Sequence, residues 1–170
     1  MSSPILAAIL GALLGGLSKV VADFFVRMRE RDAMLVAISA EVDALCRLMR
    51  YQNYLPDVLS LIDDLEKGSI KTANYIVDIR SDYFTVFNAL SCNLGHLKSD
   101  HAYYIVKFYA FCKTIIDSTR PDGVAAHARD RSEAIADFRA QAALLQATLV
   151  LGDRIIQFPK RPPISDLILS

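Results

Sequence analysis

Three observations point to an all-α fold. The N-terminus is a hydrophobic stretch with small residues at helical spacing. Apolar residues then recur three and four apart through most of the chain. Gly and Pro are few and stand where helices would start or stop. The pattern predicts an N-terminal transmembrane helix that runs on into a cytoplasmic bundle of about five helices. Residues 1–26 form the membrane helix, 27–158 the bundle and 159–170 an extended tail.

Ser3 and Pro4 suit a helix start, with a capping side chain followed by proline in the first turn. No charged side chain occurs from Ile5 to Ser18, and only Lys19 and Asp23 precede Arg27. Ile5 to Val26 is 22 residues, or about 33 Å of helix against a hydrocarbon core of about 30 Å. The run to Ser18 alone is 14 residues, short of a span, so the cytoplasmic end of this helix is expected to be wet. Lys19 and Asp23 stand four apart and can pair there. Ala7, Gly11 and Gly15 form one stripe at four-residue spacing, and Ala8, Ala12 and Gly16 form a second. Such stripes let neighbouring backbones approach in lipid, so a homo-oligomer packed through this helix is expected. The plainer alternative is that small residues merely fill a generic anchor. MSSP offers no positive n-region for a signal peptide. Ile5 to Leu17 is apolar all round, which disfavours a helix lying in the membrane plane.

Orientation follows from charge. Nothing basic precedes the span, whereas Lys19, Arg27, Arg29 and Arg31 follow it, with Asp23 among them. The positive-inside rule then puts the body in the cytoplasm and the helix in the inner membrane as a single pass. Cys46, Cys92 and Cys112 are odd in number and lack metal-ligand spacing, as suits reduced thiols. Zero formal net charge over 170 residues argues against direct DNA binding.

In the body, no breaker occurs before Asn53 to Pro56, so the first helix is expected to continue. Met28, Leu35, Ile38, Val42, Leu45 and Met49 make its apolar seam, suited equally to the bundle core or a neighbouring subunit. Arg27, Arg29, Glu30, Arg31, Asp32, Glu41, Asp43, Arg47 and Arg50 read as a solvated face. A helix over 57–67 buries Val58, Leu59, Leu61, Ile62 and Leu65 and ends at Gly68. A long helix is predicted over 69–97, although TANYIVDIRSDYFTVF also carries strand-favouring residues. Ser99 caps a helix over 100–119 with an aromatic core stripe: Tyr103, Tyr104, Phe108, Tyr109 and Phe111. His96 and His101 read as a surface pair beside the turn before it. RPDG at 120–123 is a turn, and the last helix is expected over 124–157, stopped by Pro159.

Chemistry-bearing patterns are few. There is no phosphate-binding glycine loop, no catalytic triad spacing and no metal motif, so no cofactor or metal is expected. Arg120 and His127 are the one candidate pair, with Arg120 ending one helix and His127 in the first turns of the next. Together they could hold a phosphate, with the histidine as general acid or base. RPDGVAAH, within a compact helical bundle, resembles HEPN domains, which are often RNA-cleaving. A membrane helix joined to such a bundle is similar to the accessory membrane proteins of type VI-B CRISPR systems. That resemblance implies an oligomeric pore-forming effector aiding RNA-guided antiphage defence, partnered by the bilayer, by copies of itself and by an RNA-guided nuclease system. A membrane-tethered HEPN ribonuclease, or a membrane scaffold recruiting a partner through its tail, are the alternatives. Pro121 and Gly123 stand where HEPN nucleases usually place a polar residue after the arginine. The departure implies a degenerate, non-cleaving element in which Arg120 and His127 serve a subunit contact or a helix cap.

Overall fold

The computed structural model describes residues 4–71, 73, 83–119 and 130–159, with side chains from residue 17 onward. Five α-helices and one 3-10 turn stand among the described residues, and no strand does. The first, α1, runs without interruption from Pro4 to Tyr51, 48 residues or about 72 Å. Its seam is resolved in favour of the chain's own core. Leu35, Ile38, Val42, Leu45 and Met49 are buried within the single chain, and Met28 alone of the seam is not.

Asn53, in the left-handed region at φ 52°, turns the chain into α2, Tyr54–Lys67. This helix begins three residues earlier than the proline suggests. Pro56 sits in the first turn, where its missing N–H costs no intrahelical bond. Gly68 at φ 78° closes α2, and the N–H groups of Gly68 and Ser69 bond back to Leu65 and Asp64. Val58, Ile62 and Leu65 are buried as expected and Leu61 partly so, but Leu59 is 52% exposed on the outer face.

The long helix expected over 69–97 does not form as one piece. Residues 69–71 and 73 are non-helical, 72 and 74–82 lie outside the described residues, and Phe84 begins a six-residue helix, α3 (Thr85–Leu90). A 3-10 turn, Ser91–His96, continues it. The β-branched and aromatic run before Phe84 is poor in helix propensity, and side-chain acceptors on α1 hold the first N–H groups of α3 instead. Helix α4, Ser99–Ser118, matches the prediction within a residue, though Ser99 is its first residue rather than its cap. Of its aromatic stripe, Phe108 and Tyr109 are buried, Tyr104 and Phe111 half-buried, and Tyr103 is 59% exposed.

The last helix, α5 (Arg131–Ile156), starts seven residues later than predicted. Asp130 is extended at φ −141°, and its carboxylate accepts from the Glu133 N–H at 2.8 Å, the first half of an Asp-x-x-Glu capping box. Helix α5 packs against α1, α2 and α4 and forms the middle of the bundle. Phe138, Leu145, Thr148 and Ile155 are fully buried on it. Among the described residues, α5 is the helix long and apolar enough to cross a membrane. In the bundle those features serve core packing. At Gly152 the backbones of α1 and α5 come so close that an added Cβ would overlap the Cys46 sulfur and lie 3.2 Å from the Phe108 ring.

Candidate functional site

The feature that the bundle does not account for is the N-terminal half of α1. Leu17, Val20, Val21, Phe24 and Phe25 follow one another at helical offsets of 3, 4, 7 and 8, so they share one face. All five are exposed, from 48% at Val21 to 68% at Val20. At 100° per residue this face is also that of Met28, Leu35, Ile38, Val42, Leu45 and Met49. One apolar stripe therefore runs along α1. Its lower part, from Met34, is buried by the other helices, and its upper part is bare in the single chain. Phe24 and Phe25 touch edge to face at 6.0 Å, and no other element reaches them among the described residues.

The charges expected at the membrane boundary fall on this bare half. Lys19, Asp23, Arg27 and Arg29 are all exposed, and Lys19 and Asp23 stand in no ion pair among the described residues. Arg31 is half-buried, with its guanidinium 3.4 Å from Asp32. Ala7, Ala8, Gly11, Ala12, Gly15 and Gly16 lie on the helical backbone of α1 with side chains outside the described residues.

No protein-family model, characterised protein or solved structure matches the chain.

The expected Arg120 and His127 pair lies outside the described residues. The helix that follows, α5, is capped by Asp130. At the end of α4, Ser118 Oγ donates to Gln141 Oε1 at 2.9 Å, while the buried Gln141 Nε2 has no acceptor among the described residues. No group of three or more metal-ligating side chains occurs among the described residues. Cys46 and Cys112 are buried; burial pushes the Cys46 thiol up to about 11 and Cys112 higher still, which keeps both protonated and unreactive. Cys92 is exposed.

Two features were not legible as sites. Glu41, read as part of a solvated face, is half-buried and accepts hydrogen bonds from Val86 N at 2.7 Å, Phe87 N at 3.0 Å and Tyr109 Oη at 2.5 Å. It thereby caps α3 from α1 and ties both to α4. Burial, then the Glu41 bond, drives the Tyr109 hydroxyl far above its ordinary pKa, so it stays a donor. His101 is not a plain surface residue either. Its ring stacks on Phe158 at 4.1 Å and 13°, beside the Arg154 guanidinium that sits 3.9 Å over Tyr104.

Proposed function

We propose that the chain is a single-pass membrane protein whose N-terminal helix both anchors the cytoplasmic bundle and assembles copies of it into an oligomer. The supporting observation is the bare apolar stripe from Leu17 to Phe25, continuous in sequence with the uncharged run Ile5 to Leu17 and in face with the buried core seam. A face of that size left to water is unfavourable, at about 1.5–3 kcal/mol for each large side chain. Lipid or another copy of the helix removes the cost. Because α1 is one uninterrupted helix, rotation or tilt of the anchor is transmitted to the bundle without a hinge. In the resemblance drawn above, such an assembly acts as a pore-forming effector in antiphage defence, with the small-residue stripes as the packing seam of the ring.

The test is the mass of the full chain in nanodiscs by native mass spectrometry, with projection averages by electron microscopy. A ring of more than four subunits with a central opening is the expected result. A monomer would overturn the assembly reading, and a protein recovered entirely without lipid would overturn the anchor. The ribonuclease alternative is tested separately: Arg120→Ala and His127→Ala should leave cellular activity intact, whereas a nuclease would lose it in both.

A further inference from the structure

The end of the bundle nearest the bare half of α1 carries an open groove of about 800 Å³. Its walls come from three elements: Arg31 to Ala37 on α1, Lys98 and His101 at the start of α4, and Phe158 with Pro159 after α5. Ala33, Val36 and Ala37 give the α1 side an apolar strip, and the His101–Phe158 stack forms the opposite wall. Its cations are Arg31, which pairs with the lining Asp32 at 3.4 Å, and Lys98, two residues before Asp100 in the first turn of α4. Burial first, then the positive charge of Lys98, holds His101 below the ordinary histidine pKa. Arg31 acts in the same direction, against Asp100. Arg31 and Lys98 thus line the groove from two different elements, α1 and the start of α4.

Position adds a second constraint. Arg31 stands five residues beyond Val26, about 7.5 Å along the helix. The polar layer outside the hydrocarbon is about 5–8 Å thick on each side. If the anchor ends at Val26, the groove opens at the depth of the lipid headgroups. We propose that it binds the phosphate headgroup of an anionic phospholipid between Arg31 and Lys98, with the acyl chains leaving toward the bare stripe of Leu17 to Phe25 above. The site couples the bundle to the anionic inner leaflet and fixes the height of the bundle against it. This inference rests on the membrane reading given above.

The experiment compares the full chain on vesicles and in nanodiscs of phosphatidylcholine alone and of phosphatidylcholine mixed with phosphatidylglycerol. The probe is phosphatidylglycerol retained per chain in native mass spectra, for wild type, Lys98→Gln and Lys98→Glu. Removing one positive charge near the surface should lower retention roughly fivefold, and reversing it roughly thirtyfold. Flotation with vesicles should persist in both variants, because α1 supplies it. Equal retention in all three chains, or equal retention of phosphatidylcholine, would overturn the headgroup site while leaving the anchor standing. Failure to float with either vesicle would instead remove the membrane reading. A stabilisation by inorganic phosphate in detergent equal to that by phosphatidylglycerol would assign the groove to free phosphate and overturn the lipid assignment.

Discussion

Replacing Glu41 by alanine is the sharpest probe of how the bundle is joined. Its carboxylate is the only described acceptor for the N–H groups of Val86 and Phe87 and for the Tyr109 hydroxyl. Alanine removes the cap of α3, at about 1 kcal/mol. It also leaves the buried Tyr109 hydroxyl without an acceptor, at about 1–3 kcal/mol. The expected loss is therefore about 2–4 kcal/mol, or roughly 6–12 °C in Tm for a body of this size. Glu41→Gln, which keeps one carbonyl oxygen, should lose about half as much. Thermal and urea unfolding of the detergent-solubilised chain by circular dichroism gives the magnitude. Amide exchange at Val86 and Phe87 gives the location, since both should lose protection before α4 does. Combining Glu41→Ala with Tyr109→Phe should cost less than the sum of the two, because the orphaned hydroxyl is then gone. A loss below about 0.5 kcal/mol, typical of a solvated surface residue, would refute the reasoning.

Gly152→Ala should destabilise by about 1–3 kcal/mol despite the better helix propensity of alanine, because α1 and α5 must separate around Cys46 and Phe108. Adding Cys46→Ala should restore part of that loss in the same unfolding assay. Gly11→Leu and Gly15→Leu should abolish the oligomer on native gels while amide exchange of the bundle is unchanged; an intact oligomer in both would count against helix packing through the small stripes. The folded pKa of His101 lies below its unfolded value of 6.5, so its contribution to stability is complete above that pH. It declines as pH falls toward the lowered folded value. His101→Phe, which keeps the ring stack, should therefore lose less stability than wild type on acidification, and equal losses would contradict the assignment. A native thiol titration should find Cys92 reactive and Cys46 and Cys112 silent until the chain unfolds.

Much of the fold was readable from local patterns that tertiary contacts do not overrule. The α1 seam, the Gly68 stop and the bounds of α4 each rest on periodicity or on a backbone requirement of one residue. The failures share a cause. Residues 69–97 carry helical spacing in an intrinsically weak helix, and where the helix starts is decided by Glu41, 44 residues upstream of Thr85. Similarly, the apolar pattern after RPDG ran on from 124, while Asp130 with Glu133 set the start at Arg131. An Asp three before a Glu was a signal available in the sequence. Gly152 had no such signal, because its need for hydrogen arises from a sulfur on another helix. The bare stripe was only half legible. Charges at Lys19 and Asp23 were visible, but its uncovered state depends on where the other helices end.

In the proposed membrane reading, α1 leaves lipid near Val26 and enters the bundle by Met34. Single cysteines placed from Leu17 to Arg31 in a Cys92→Ser background, reconstituted in vesicles, test it with a membrane-impermeant maleimide. Protection is expected at Val20, Val21 and Phe24, with labelling from Arg27 onward. Free labelling at all of these positions would show that the apolar stripe stays in water, and would contradict the account.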